Sequence, residues 1–369
     1  MNERYRSREQ AAALAERIHR VYPGGRVKLM EVCGTHTMAI ARYALRDLLP
    51  GGLELVSGPG CPVCVTPVSV LDAALELARE PGVAVVTFGD MMRVPGSRTT
   101  LERLKAEGAD VRVIYSALQL LDAAAAEPDT RFVFISVGFE TTTPGTALCV
   151  EQARRRGLGN LFFIPANRLI IPALHALCAG SETDIHGFLC PGHVSVIIGW
   201  GAYRAIADTY GVPCVVAGFE PVDILLGVYE LVCRVARGEA GVYNAYPRAV
   251  TEQGNREALG VIDRVLRPVD AHWRGVGNIP GSGLGFRREY EDMDALRRFG
   301  VQLRDAPEPP GCRCGDVLRG VIAPARCPLF GTRCTPADPL GPCMVSSEGS
   351  CAASYRYGGR TEVSGHAGA

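Results

Sequence analysis

Net charge is missing from this chain. Its 39 Lys+Arg balance 39 Asp+Glu, so it lacks the basic field that nucleic acid or an anionic membrane surface requires. Long apolar runs are missing too. No window reaches the ~20 continuous apolar residues of a membrane span. The opening MNERYRSREQ has no apolar core of a signal peptide. A cytoplasmic protein with neither nucleic-acid nor membrane partners is expected. Aromatics make up only 7%, and no P-loop pattern is present.

Apolar residues are plentiful at 47%, enough for a sizeable core. A length of 369 residues suits two or three domains at ~100–200 residues each. Forty-three glycines suggest many tight turns. The 14 cysteines do not read as a disulfide scaffold in a long chain without an export signal. In a reducing compartment they are ligands, nucleophiles or redox thiols. Cys33, Cys61 and Cys64 lie near the start. Cys149, Cys178, Cys190, Cys214 and Cys233 are scattered and read as core residues. Cys312, Cys314, Cys327, Cys334, Cys343 and Cys351 crowd together near the end.

A helix is expected over 7–20. Strand-like runs then follow at 27–32, 53–57, 83–88, 111–115, 131–137, 161–166, 185–190 and 214–219. Helices fit at about 36–49, 67–80, 144–157, 169–179, 195–210 and 221–237, with another between the runs at 83–88 and 111–115; an Ala-rich stretch at 117–126 precedes the restart of the alternation. Apolar strands with helical crossovers mean parallel sheets covered on both faces. The fold class expected is α/β: an N-terminal helix (1–24), two parallel-sheet lobes (25–125 and 126–240), and a third, irregular Cys-rich domain (241–369). That last part has a helix at 252–266 and a glycine-rich stretch at 276–286 that follows no strand. It ends in a loose tail. Eight prolines and six cysteines between 305 and 351 leave little periodicity and call for a staple.

The unusual motifs share an address. CGTHT (33–37), GPGCPVC (58–64), FGDMMRVPG (88–96), GFETTTPG (138–145), PGHVS (191–195) and GFEP (218–221) each follow a strand. Ligands of open parallel sheets bind beyond the strands' carboxyl ends. Glycine and proline alone can be explained as turn residues. The recurrence of Cys, His and Glu beside them points to one composite cleft between the lobes.

Cys33 at a helix start gains thiolate stabilisation from the dipole and free amides; its bland alternative is a buried core thiol. His36 lies one turn on and can ligate or shuttle protons. Cys61-Pro-Val-Cys64 is half a zinc site or a dithiol–disulfide pair. No second CxxC or HxxxH accompanies it in the lobe, which favours redox. His193, Glu140 and Glu220 sit on the cleft edge. Either Glu is a base or ion partner, or else a helix cap. His175, His186 and His272 have no constellation. The six C-terminal cysteines exceed one tetrahedral site by two and show no CxxC knuckle. Four thiolates on an iron–sulfur cluster plus one redox pair fit better than zinc. A stand-alone thiol–disulfide oxidoreductase driven by such a cluster, or a zinc-stabilised binding module, are the rival readings.

Taken in order, CGTHT, GPGCPVC, GFETTTP, PGHVS, GFEP and the C-terminal CRCGDVLRG, CPLFG, CTP and GPCMVSSEGSC resemble the HypD family of hydrogenase maturation factors, over about residues 25 to 357. The resemblance implies two α/β domains and a third domain with a 4Fe-4S cluster. It implies a scaffold on which the Fe(CN)2CO group of nickel–iron hydrogenases is assembled. The partners implied are a HypC-type chaperone and a HypE-type cyanide carrier. Carried over by motif, Cys33 would bind that iron together with a HypC cysteine, and Cys61 and Cys64 would be redox thiols beside it. The family's last domain is similar to ferredoxin:thioredoxin reductase. On that pattern Cys312, Cys327, Cys334 and Cys351 would hold the cluster, and Cys314 with Cys343 would form the redox pair.

Overall fold

The structure, a computed structural model, describes residues 3–180 and 184–358. All eight apolar runs form strands: β1 (Val27–Glu31), β2 (Leu53–Ser57), β3 (Val83–Thr87), β4 (Val111–Val113), β5 (Arg131–Gly138), β6 (Leu161–Asn167), β7 (Gly187–Pro191) and β8 (Cys214–Ala217). Every residue of β1, β3, β7 and β8 is buried. These strands are covered on both faces, which is why they read as unbroken apolar runs. Three further strands were not expected: β9 (Val242–Asn244), β10 (Leu266–Trp273) and β11 (Gly277–Phe286).

Strands β1 to β9 build two parallel sheets. One has the order β2-β1-β7-β8-β9 and the other β4-β3-β5-β6. The expected boundary near 120–130 does not separate them. The chain starts the first sheet with β1 and β2, builds the second with β3 to β6, and returns to complete the first. VKLME and VAVVT are equally apolar, so the sequence of a parallel strand does not say which sheet it joins. Two expected helices are also divided. The one over 36–49 stops at Arg42 in the helix Gly34–Arg42. The one over 195–210 breaks at Gly199, whose positive φ of 79° follows the helix Gly192–Ile198.

The glycine-rich stretch forms an antiparallel hairpin of β10 and β11. Its turn needs Gly275 at φ 74°. Trp273 before the turn is fully buried, and its Nε1 donates to Ser282 Oγ at 2.7 Å. Gly275 and Gly315 pack backbone against backbone, with no room for a Cβ on either.

The Cys-rich segment is irregular, with short helices Cys314–Leu318, Pro342–Val345 and Ser350–Tyr357. It does not have a core of its own. Cys314, Cys327, Cys334, Cys343 and Cys351 share one apolar cluster with Met30, Val63 and Trp273. The second sheet's loops grip it. Asp90 Oδ2 accepts from Ser346 Oγ at 3.0 Å and from Ser347 N at 3.2 Å. Arg93 Nη2 donates to the Pro336 carbonyl at 2.6 Å. The expected loose tail beyond 358 lies outside the described residues. No helix among the described residues is long and apolar enough to cross a membrane.

This packing makes Gly275 a sensitive joint. Gly275→Ala adds a Cβ where Gly315 stands and where φ is positive, at a cost of about 1–3 kcal/mol. Urea denaturation should show a lower midpoint, and limited proteolysis should cut 305–351 faster. Wild-type behaviour in both assays would contradict the close approach.

Candidate functional site

Because β2, β1, β7 and β8 run parallel, their carboxyl ends deliver four motifs to one edge: GPGCPVC, CGTHT, PGHVS and GFEP. Gly34 N donates to the Gly60 carbonyl at 3.1 Å. Gly60 also lies flat on the backbone of Val32 and Cys33, so the two cysteine loops touch. Glu31, wholly buried at the end of β1, fixes the turn. It accepts from Cys33 N at 3.1 Å and from Thr37 Oγ1 at 2.5 Å. Burial pushes its carboxyl up to about 7.

Cys33 is the residue before the helix Gly34–Arg42 and is 7% exposed. The expected thiolate stabilisation is overridden there. Burial, reinforced by the Glu348 and Glu31 carboxyls, pushes the thiol up to about 12, against the pull of the His36 and Thr35 amides. Desolvating a thiolate outweighs a helix start when the sulfur is enclosed. His36 is fully buried. Its Nε2 donates to the Gly218 carbonyl at 2.8 Å, and burial holds it down to about 4, so it is neutral at pH 7. His193 stacks on Phe219 at 3.8 Å between ring centres, and His36 packs against the same ring at 5.0 Å.

The two glutamates are engaged elsewhere. Glu220 accepts from Arg6 Nε and Nη2 at 2.6 and 2.8 Å and ties the first turn of the chain to the helix Pro221–Arg237. Glu140, at the end of the second sheet's β5, accepts from Ile170 N at 2.9 Å, so it caps the helix Ile170–Ala179 from outside. Its other oxygen is buried without a partner, and burial pushes the carboxyl up to about 7.

Cys61 and Cys64 are joined by a disulfide, with Cα atoms 5.3 Å apart. The one-turn helix Pro62–Val65 between them packs against Pro342–Val345, which carries Cys343. Cys343 Sγ lies 2.7 Å from Cys314 Sγ. The hydrogen bond from Cys343 and the Arg274 guanidinium hold Cys314 below the ordinary thiol range, whereas Cys314 and Cys351 push Cys343 up. Cys312 is pushed up to about 12 by burial, by Cys314 and by Cys327. Cys334 is raised by burial and by Cys351 and Cys327, and accepts from Leu340 N at 3.3 Å. All six thiols are therefore electrostatic neighbours: Cys312 with Cys314 and Cys327, Cys334 with Cys351 and Cys327, and Cys343 with Cys314 and Cys351. Among the described residues, no three Cys, His, Asp or Glu are set to hold a single metal ion. A Cβ on Gly341 would come within 2.9 Å of Cys312 Sγ, so a glycine keeps that side of the thiols clear.

Comparison with known proteins decides the family. The HypD family model, described as "Hydrogenase formation hypA family", matches residues 9–358. The chain belongs to the HypD family. It is 47% identical over 363 residues to the hydrogenase maturation factor HypD of Azotobacter vinelandii, covering 96% of each chain. It is 43% identical over 360 residues to HypD of Escherichia coli K12, again covering 96% of each. The Rhodobacter capsulatus HypD is 47% identical over 339 residues, with 90% of each covered. As a HypD-family chain it is a hydrogenase maturation factor.

Sequence reasoning missed Glu348. Glu348 comes from the Cys-rich segment, packs onto Gly34, and accepts from Thr35 Oγ1 at 2.7 Å. It places a carboxylate beside Cys33. Its only signal was an acidic residue in the Ser-rich SSEGS tract, overshadowed by the cysteines around it.

The raised Cys33 thiol makes a prediction. In the metal-free protein, alkylation of Cys33 by iodoacetamide should be slow at pH 7.5 and still rising at pH 10. Glu348→Gln removes a repelling charge and should raise the rate at fixed pH roughly three- to tenfold, up to one pKa unit. Peptide mapping that finds Cys33 as reactive as a free thiol at pH 8 would contradict the burial argument.

Glu140 makes a second prediction. Its folded value lies above its unfolded 4.5, so the native state holds the proton longer. Stability is then lost as pH rises from about 4.5 through 7, by on the order of 1 kcal/mol per pH unit. Glu140→Gln keeps an acceptor for Ile170 N and cannot ionise. The difference in denaturation midpoint between pH 5 and pH 7.5 should shrink in this variant. An unchanged difference would contradict the assignment.

Proposed function

We propose that this HypD-family chain is the redox-active scaffold on which the Fe(CN)2CO group is assembled, with the iron held between Cys33 and a cysteine of a HypC-type chaperone and cyanide delivered by a HypE-type carrier. The observation that carries the reading is continuity. Cys33 touches the GPGC loop, the Cys61–Cys64 turn packs on the helix bearing Cys343, Cys343 meets Cys314, and four more thiols adjoin that pair.

Each part suits its role by its chemistry. Low-spin iron with cyanide and CO takes soft thiolate ligands in a place shielded from water. A buried Cys33 with a strongly raised thiol gives up its proton only to a metal, so iron binding and proton release are coupled. His36, neutral and tied to Gly218, keeps a positive charge away from that iron. Cys61–Cys64 and Cys314/Cys343 form a two-electron exchange pair. As Cys314 and Cys343 close, two electrons and two protons pass to the other disulfide and open it.

Cys312, Cys327, Cys334 and Cys351 suit a resident 4Fe-4S cluster. A single zinc ion draws four sulfurs to about 2.3 Å of one point, whereas a cubane takes one thiolate at each of four irons. The space beside Cys312 kept by Gly341 and the Leu340 N–H on Cys334 agree with the wider arrangement. Such a cluster supplies single electrons when bound.

Iron and sulfide analysis of anaerobically purified single variants tests this. Ala at Cys312, Cys327, Cys334 or Cys351 should abolish the roughly four irons and four sulfides and the brown colour. Ala at Cys314 or Cys343 should retain them while blocking reduction of Cys61–Cys64 in thiol-trapping assays. Zinc alone in the wild type would overturn the cluster. Iron loss at Cys314 with retention at Cys312 would reverse the partition.

A further inference from the structure

The turn of the β10–β11 hairpin carries a guanidinium that its own neighbours do not satisfy. Arg274 is 1% exposed. Its Nε donates to Glu308 Oε2 at 2.7 Å, yet Nη1 and Nη2 are buried with no hydrogen-bond partner. A guanidinium carries five donors, and leaving most of them unmatched in the interior is costly. Glu308 cancels the charge only in part, because its side chain is 43% exposed and water screens it. The segment its turn packs against carries thiols: Gly315, under Gly275, directly follows Cys314 and lies three residues from Cys312.

The backbone of this residue is fixed at both thiol sites. Arg274 N donates to the Val65 carbonyl at 2.9 Å, one residue beyond Cys64. Gly275 presses on Gly315, one residue beyond Cys314. The hairpin turn thus sits between the Cys61–Cys64 disulfide and the C-terminal cysteines, and its one buried charge is positive. An ion pair with Glu308 explains one nitrogen only. A neutral residue could occupy the same turn without the desolvation cost.

We propose that Arg274 is a positioning residue that stabilises the reduced, more negative form of the group held by Cys312, Cys327, Cys334 and Cys351. The inference rests on the cluster reading above. Reduction adds one electron from an external one-electron donor and so one unit of negative charge, with no bond made or broken in the chain. A fixed guanidinium in a low-dielectric interior favours that added charge and raises the reduction potential.

The test is an EPR-monitored redox titration of the full-length holoprotein, with iron content measured on the same samples. Arg274→Met removes the charge and should lower the ratio of reduced to oxidised cluster at fixed potential about tenfold, a shift of about 59 mV to lower potential for a one-electron couple. Arg274→Lys keeps the charge and should stay closer to wild type. Glu308→Gln alters a half-exposed side chain, keeps the fold, and should shift the potential upward. That opposite sign is not expected of a residue that merely packs. If Arg274→Met loses its iron, Glu308→Gln still decides the matter. Iron retained with neither potential moved, or both variants shifting the same way, overturns the role of Arg274 and leaves the cluster standing. A wild-type protein without iron overturns the cluster reading and this inference with it.

Discussion

Gly60 lies flat against the backbone of Val32 and Cys33, and the site depends on that approach. No side chain fits there. The contact brings the loop after β2 onto the loop after β1, so Cys33 and the Cys61–Cys64 turn share one enclosed edge. Glu31 secures it from below by gripping both Cys33 N and the Thr37 hydroxyl. The parallel pairing of β1 with β7 and of β7 with β8 then adds His193 and the Gly218 carbonyl to the same edge without long loops.

Enclosure also sets the chemistry. A solvent-facing cysteine at a helix start is a nucleophile, but Cys33 is sealed by Gly60, Glu31 and Glu348, and its thiol is hard to ionise. Such a sulfur is poor for attack on a substrate and good for holding a soft metal that displaces its proton. Buried positive charge is sparse in this neighbourhood, since His36 is held neutral. Arg274 lies farther along, beside Cys312 and Cys314. The distribution separates the Cys33 end, which carries the Glu31 and Glu348 carboxyls, from an end at the C-terminal thiols that carries the Arg274 guanidinium.

The strands were legible because runs such as RFVFISV are buried on both faces, and burial of that kind leaves an unbroken apolar signature. Sheet membership was not legible. Partner choice between parallel strands is a tertiary matter, and the chain's return from β6 to β7 leaves no local mark. The β10–β11 hairpin was hidden by Pro268 and Pro280 and by glycines where alternating side chains would stand. Its stability comes from Trp273 and from packing on Gly315. The motif cysteines were visible by spacing and resemblance. Glu348 and Arg274 were not, because each acts through a fold contact hundreds of residues away or across a core. The Cys33 thiol was misjudged for a related reason: a helix start is a local feature, whereas desolvation is set by loops from elsewhere in the chain.

The central claim is that Cys33 is an iron ligand in an enclosed site. Infrared spectroscopy of the anaerobically purified complex with a HypC-type chaperone, wild type beside Cys33→Ala, tests it most directly. The account predicts cyanide and CO stretching bands in the wild-type complex and their loss in the variant. The variant should keep its fold and its C-terminal iron, since one small side chain contributes on the order of 1 kcal/mol. Full-intensity bands in Cys33→Ala would contradict the claim.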